Sequence, residues 1–238
     1  MHPRKHSSIQ EHEVHVWTVN LAPPAIELMR LYTLLSDDER VRAGRFRFVE
    51  HANRYAVARA NLRRILGRYT DVAPWLLQFK YSANGKPFLA NGSIRFNVSH
   101  SSNLAAVAVT RGREVGIDVE QIRNDDDLLD VAEHYFAPAE RAALRLLSAD
   151  ERRLGFFRCW TRKEAYLKAR GEGLSMDLHA FSVSLGPNEP AALIASAEGP
   201  AELRRWKFAH LDLHHGYAAA LAVEGPQCNL HFFEEQAA

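Results

Sequence analysis

The stretch Glu114-Val115-Gly116-Ile117-Asp118-Val119-Glu120 constrains the fold more than any other part of the chain. Val115, Ile117 and Val119 alternate with Gly116, Asp118 and Glu120, the period of a β-strand whose side chains point to opposite faces. The three β-branched residues then face a core. The two carboxylates lie side by side on the other face, with Gly116 leaving space beside them. Carboxylates held this close repel unless a proton or a cation intervenes. A hard divalent cation such as Mg2+ resolves the conflict. It commonly binds through one or two protein carboxylates together with substrate phosphates.

With 238 residues the chain can bury a substantial core, as one large domain or two small ones. Its 30 basic and 29 acidic residues nearly cancel, so global charge points to neither a nucleic-acid nor a membrane partner. The only cysteines, Cys159 and Cys228, give no disulfide framework and no CxxC metal motif, which fits a reducing cytoplasm. The opening Met1-His2-Pro3-Arg4-Lys5-His6 leads into polar residues, with no apolar run of a signal peptide. Apolar stretches such as residues 217–223 are too short to span a bilayer.

Residues 14–19 read as a first strand, and Ser36 precedes an arginine-rich segment. From Arg54 the spacing is helical, with Tyr55, Ala58, Leu62, Ile65 and Leu66 on one face and Gly67 near the end. Two strands follow, residues 94–98 and 104–110, joined by the polar turn Ser99-His100-Ser101-Ser102-Asn103. Asn124-Asp125-Asp126-Asp127 reads as a solvated turn. Pro138 fits the first turn of a helix. A longer helix is predicted over 150–169, closing at Gly171. The tail holds a hairpin, 206–213 with 217–223, turning at His214-His215-Gly216.

The two hairpins resemble each other. Leu104-Ala105-Ala106-Val107-Ala108-Val109 echoes Tyr217-Ala218-Ala219-Ala220-Leu221-Ala222, and a helix rich in basic residues precedes each. The expectation is an α+β fold made of two similar lobes, a pseudo-twofold duplication, divided as 1–112 and 113–238 near Arg111-Gly112-Arg113. A cleft between such lobes is a common ligand site.

On the longer helix Trp160, Glu164 and Lys168 share one face. Taken alone, Glu164 and Lys168 have the spacing of an ordinary surface ion pair. Lining a cleft, Trp160 would anchor the face, Glu164 would reach a metal or a substrate proton, and Lys168 an anion. The company they keep favours the cleft. Gly85-Lys86-Pro87-Phe88, Phe96-Asn97-Val98-Ser99-His100-Ser101, Gly116-Ile117-Asp118-Val119-Glu120, and Trp160-Thr161-Arg162-Lys163-Glu164-Ala165 with Leu167-Lys168 through Gly171-Glu172-Gly173-Leu174 occur in one order. Together they resemble the 4'-phosphopantetheinyl transferase superfamily, in its larger two-lobed form that serves peptide, polyketide and related carrier proteins.

The resemblance implies transfer of the phosphopantetheine arm of coenzyme A to a serine hydroxyl of an apo acyl or peptidyl carrier protein, releasing adenosine 3',5'-bisphosphate. It implies Mg2+ bridging carboxylates and diphosphate. It assigns Asp118, Glu120 and Glu164 to the metal. Glu164 also stands where the family activates the serine, directly or through water. It assigns Lys168 to the diphosphate or the departing nucleotide, with Lys163 adding to its field. Lys86, Ser99 and His100 match positions that hold the nucleotide end of coenzyme A. The histidine is read as a phosphate donor tunable near neutral pH. The two-lobed form implies a monomer. A basic and apolar rim on the second lobe, near Phe136 or Leu146, is expected to dock an acidic carrier.

From Arg40 to Arg68 there are nine arginines and one acid, Glu50. Arg59, Arg63, Arg64 and Arg68 read as a solvated helix face. Arg42 falls where the family carries a basic residue for the 3'-phosphate, and Arg47 and Arg54 are further candidates. Tyr55 stands where some relatives carry a small hydroxyl residue, a departure from the pattern. His210-x-Asp212-x-His214-His215 has an alternation that could bind a transition metal, but falls in a hairpin turn and reads as surface. Phe156, Phe157 and Trp206 read as core. Two other functions compete: a coenzyme A or nucleotide binding module without catalysis, and a Mg2+-dependent nucleic-acid-binding protein using the arginines.

Overall fold

The protein is described by a computed structural model over residues 8–70, 72–90, 92–124, 127–173 and 176–235. Met1 to His6, Asp125 and Asp126 of the acidic turn, and Leu174 of the last motif lie outside the described residues.

The first half runs β1 (Glu13–Asn20), α1 (Ala25–Tyr32), α2 (Asp37–Ala43), α3 (Val49–Gly67), β2 (Phe79–Tyr81), β3 (Pro87–Leu89), β4 (Ile94–Ser101) and β5 (Leu104–Arg111). The second runs β6 (Val115–Gln121), α4 (Leu128–Tyr135), α5 (Pro138–Leu146), α6 (Ala149–Arg170), β7 (Phe181–Val183), β8 (Leu193–Ser196), α7 (Pro200–Arg205), β9 (Trp206–His210), β10 (Tyr217–Glu224) and β11 (Asn229–Glu235). The fold is mixed α+β. Its halves repeat one order: a strand, a long helix, a small two-stranded sheet, then a hairpin that pairs back on the first strand. In the first half this is β1, α3, β2–β3 and β4–β5; in the second it is β6, α6, β7–β8 and β9–β10. The main sheets are ordered β11-β1-β5-β4 and β6-β10-β9. The last strand crosses back, pairing parallel with β1 from Glu13↔Asn229 to Val19↔Glu235. Residues 229–235 thus belong to the first sheet, although they lie beyond the expected division at 112.

Three cores follow from the strand alternation. One face of β1, with Trp17 and Val19, packs under α3. One face of β10, with Ala218, Ala220 and Ala222, packs under α6. The opposite faces meet in a third core, where Val14 and Val16 join Val115, Ile117 and Val119. The three β-branched residues of β6 are fully buried there, as their alternation requires.

Gly116 serves a purpose different from the expected one. A Cβ at this position would lie 2.0 Å from the Ala165 carbonyl oxygen and 2.3 Å from the Ala169 nitrogen. The missing side chain lets the α6 backbone lie directly on β6, rather than clearing space beside the carboxylates. Helix α6 itself is capped as its sequence suggests. The Ser148 hydroxyl accepts from the Glu151 amide, and Gly171 ends it in the left-handed conformation with φ 71°.

Two boundaries differ from the sequence expectation. Helix α3 begins at Val49, not Arg54, and is buried through its middle on several faces. Ser99, His100 and Ser101 belong to strand β4, and the turn is only Ser102-Asn103, with Ser102 at φ 52°. The physical reason is that Asn97, Ser99 and Ser101 do strand work with polar side chains. Asn97 Oδ1 accepts from the Ile117 amide at 2.9 Å, Ser99 Oγ from Val119 at 3.3 Å and Ser101 Oγ from Gln121 at 3.1 Å. These three side chains close the open edge of β6 where a neighbouring backbone would otherwise be needed.

The Gly116 contact gives a direct check. Gly116→Ala forces α6 away from β6 and is expected to cost about 1–3 kcal/mol or more, as overpacking does. Urea denaturation should show a lower midpoint at unchanged slope. An unchanged midpoint would mean that α6 shifts outward freely.

Candidate active site

The same three side chains that close the β6 edge also set its carboxylates. Ser99 Oγ donates to Asp118 Oδ1 at 2.8 Å, and Ser101 Oγ donates to Glu120 Oε2 at 2.8 Å. Each serine accepts a β6 amide and donates to a β6 carboxylate, so its hydroxyl direction is fixed. From α6, Lys168 Nζ donates to Asp118 Oδ1 at 2.6 Å and to Ser99 Oγ at 3.1 Å. First-half strand, second-half strand and second-half helix therefore meet at Asp118.

Asp118 is 2% exposed. Its Oδ1 takes two donors, while its Oδ2 is buried and has no hydrogen-bond partner among the described residues. A buried carboxylate oxygen left bare is costly. Burial raises the Glu164 pKa above its ordinary value. Lys168 opposes the rise, and the charges of Asp118 and Glu120 add to it. Glu120 is likewise raised, first by burial, with Asp118 adding and Ser101 opposing. The three acids thus feel one another electrostatically. Among the described residues, however, no three His, Cys, Asp or Glu side chains converge closely enough to hold a metal ion by themselves. An open set of hard oxygen ligands with one bare, buried carboxylate oxygen fits a divalent ion whose remaining ligands are water and substrate.

The other predicted residues divide. His100 lies exposed at the rim beside Ser99; desolvation of its ring and then the Lys168 charge lower its pKa. Arg42 and Arg47 are exposed and Arg54 half-buried. The Arg42 guanidinium lies 5.3 Å from the Tyr55 ring centre and that of Arg47 5.4 Å from Phe48. Among the described residues no hydrogen bond or ion pair links these arginines to Asp118.

Lys163 is not brought to the site. It is 1% exposed, and its ammonium donates to both Glu140 oxygens at 2.9 and 2.7 Å and to the Phe181 carbonyl at 2.8 Å. It points to the opposite side of α6 from Lys168 and holds α5 and β7 in the second core. Lys86 is also engaged. Its ammonium donates to Glu114 at 3.0 Å, to the Val115 carbonyl at 3.3 Å and to the Ala169 carbonyl at 3.1 Å. All three N–H groups are used, so Lys86 ties the β2–β3 hairpin to β6 and α6. Trp160 packs with Phe156, Phe136 and Tyr135 in the second half's aromatic cluster instead of lining the acids.

The later arginines are not a solvated face. Arg59 and Arg63 pair with buried Glu39, and Arg64 and Arg68 with buried Glu235. The His210 segment stays at the surface, where His210 contacts Asp212 at 3.2 Å. Phe156, Phe157 and Trp206 are core residues. Asn97, Ser101 and Glu140 were not singled out. The period-two spacing of Asn97, Ser99 and Ser101 was the available signal for the first two. Nothing local marked Glu140.

The family model for the 4'-phosphopantetheinyl transferase superfamily matches residues 114–222, and that for the 4'-phosphopantetheinyl transferase N-terminal region matches 20–112. The 4'-phosphopantetheinyl transferase HetI of Nostoc sp. (strain PCC 7120) is 42% identical over 217 residues, covering 90% of this chain and 88% of that protein. The 4'-phosphopantetheinyl transferase Sfp of Bacillus subtilis (strain 168) is 25% identical over 199 residues, covering 83% and 85%. A solved holo-(acyl-carrier-protein) synthase from Bacillus anthracis, in complex with CoA (3',5'-ADP), is 22% identical with a TM-score of 0.37, covering 48% of this chain and 96% of that one. At this identity and coverage to HetI, the chain belongs to the 4'-phosphopantetheinyl transferase superfamily, in its two-lobed form.

Proposed function

We propose that this chain transfers the phosphopantetheine arm of coenzyme A to a serine hydroxyl of an apo acyl or peptidyl carrier protein, with Mg2+ at Asp118, Glu120 and Glu164. The observation that supports the site is the bare, buried Oδ2 of Asp118, set beside two acids of raised pKa and one lysine. When bound, the metal would neutralise charge on the diphosphate oxygens. Lys168 uses one N–H on Asp118 and one on Ser99, leaving a third for a diphosphate oxygen. Its charge stabilises the departing nucleotide phosphate. Glu164, one helical turn before it, takes the proton of the attacking serine hydroxyl, directly or through a water. Ser99 holds Asp118 in place, and His100 at the rim is available to the nucleotide end. Arg42, Arg47 and Arg54 are our candidates for the 3'-phosphate.

One chain supplies both sides of this junction, Ser99 and Ser101 from residues 1–112 and the acids from 113–238. That supports a monomer of two lobes. Both cysteines are free, in keeping with a reducing cytoplasm. Among the described residues no helix is long and apolar enough to cross a membrane. Of the two carrier-docking candidates, Phe136 is fully buried and drops out, while Leu146 at the end of α5 is 88% exposed.

Intact-mass spectrometry of apo carrier proteins incubated with the protein, coenzyme A and Mg2+ should show a phosphopantetheine gain. Asp118→Ala and EDTA should each abolish it; no gain on any carrier would leave a coenzyme A binding module.

Glu164→Gln should lower kcat by roughly 10²–10⁴-fold, the contribution of one positioned base, while coenzyme A binding by calorimetry persists. In the EDTA-treated protein Glu164 should titrate above the usual glutamate value of about 4.3, raised first by burial, and Mg2+ should lower that pKa. A metal-free titration at or below that value, followed by carboxyl NMR, would contradict this account.

A raised folded-state pKa means that an ionised carboxylate weakens the fold above its unfolded pKa, and that protonation on acidification removes the penalty. Glu120→Gln should thus raise the melting temperature of the EDTA-treated protein at pH 8. The gain should shrink as the pH falls and Glu120 itself becomes protonated. A gain independent of pH would sink this account.

A further inference from the structure

The two halves repeat their internal contacts residue by residue. In the second half, Lys163 meets Glu140, which also accepts the Ala137 amide at the start of α5, and its ammonium lies 4.2 Å from the Phe181 ring centre. In the first half, Arg63 meets Glu39, which also accepts the Ser36 amide at the start of α2, and its guanidinium lies 5.2 Å from the Phe79 ring centre. Arg63 is thus the counterpart of Lys163. Counting on along each helix, Arg64 takes the place of Glu164 and Arg68 that of Lys168. The strands agree. Lys168 reaches Asp118, opposite Ala220 on the central strand β10, and Arg68 lies 4.5 Å from the Trp17 ring centre, opposite Val107 on the central strand β5.

Position by position, the catalytic cluster therefore has a counterpart under α3. Trp17 stands for Asp118, Val19 for Glu120, Arg64 for Glu164 and Arg68 for Lys168. The acids are gone and a second cation has been added. A site that gathers negative charge around a cation has become one that gathers positive charge on an aromatic floor. The strand that would supply its serines is also changed. Where β4 presents Ser99 toward β6, the matching position after β9 is Leu211, buried in the shared core.

The inverted site is filled. Strand β11 lies along β1 and delivers Glu235, 6% exposed, between the two arginines. Its Oε1 lies 3.2 Å from Arg64 Nε, and its Oε2 accepts from Arg68 Nη2. Two residues earlier, Phe233 stacks on Trp17 at 4.6 Å and 19°. A cavity of about 200 Å³ opens beside it, lined by Glu27, Asn61, Arg64, Glu234 and Glu235 among others. Glu27 also pairs with Arg64, at 3.1 Å, and lies 4.0 Å from Arg30.

We propose that the first half retains a second, charge-inverted counterpart of the catalytic site, an oxyanion pocket of Arg64 and Arg68 over Trp17, and that Glu235 is its built-in ligand. The C-terminal strand thereby closes this pocket, and coenzyme A phosphates are offered one junction and not two.

Chemical rescue tests this on the whole chain. Glu235→Ala should melt below wild type. Sodium acetate or inorganic phosphate should raise its melting temperature by about 3–5 °C at about ten times the dissociation constant, relative to chloride at equal ionic strength. Wild type should show no such anion-specific rise, and Glu235→Ala combined with Arg68→Met should lose it. If Glu235→Ala is unfolded in chloride, acetate or phosphate should restore its far-UV dichroism. The proposal is overturned if neither anion does better than chloride, or if the double variant is rescued equally well.

Discussion

Everything at the active site depends on how β4 meets the open edge of β6. Backbone pairing alone would leave the acids of β6 free to choose rotamers. Asn97, Ser99 and Ser101 replace that pairing with side chains, and two of them are hydroxyls that accept and donate together. One hydrogen-bond set thus joins the halves of the molecule and aims its carboxylates. Buried polar networks of this kind are either satisfied throughout or costly. Here one atom of the network, Asp118 Oδ2, is left without a hydrogen-bond partner among the described residues.

The repeat of the two halves accounts for the buried cations of the two long helices. Each half needs a cation buried on a helix-start glutamate to hold its short helix against its long one, and Arg63 and Lys163 do this work. Breaking such a pair leaves a charge uncompensated in the interior, which is why it persists in both halves. Lys163 and Lys168 look alike in sequence. Five positions on a helix separate them by more than a quarter turn, enough to send one to Glu140 in the core and the other to Asp118 on β6.

The strand with Asp118 and Glu120 was legible because β-branched residues on its core face alternate with Gly116, Asp118 and Glu120 on the face that meets α6, a period of two that belongs to a strand. The close of α6 at Gly171 was legible from its left-handed cap. The Ser-His-Ser segment was misread as a turn because polar residues in a strand normally mean solvent, whereas here they serve a neighbouring strand's edge. The role of Gly116 was misread because its neighbour is a helix backbone distant in sequence. The partners of Lys86, Lys163 and Arg68 lie on other elements, and no local pattern announces them. Strand β11 was not foreseen as part of the first sheet, since parallel pairing with a strand more than two hundred residues earlier leaves no short-range signal.

The pairing of Lys168 with Asp118 has a consequence for the order of events. Among the described residues Lys168 is the cation that pairs with Asp118. Asp118, with Glu120 and Glu164, would hold a divalent ion, which would supply positive charge at the acids. Lys168, hydrogen-bonded to Ser99, would then have its charge to offer a diphosphate. Glu164 would follow in the opposite sense: burial first, and then the charges of Asp118 and Glu120, raise its pKa, and a cation among them would lower it and ready it as a base. Metal binding and the basicity of Glu164 would then be linked through the same three carboxylates, with Lys168 beside them.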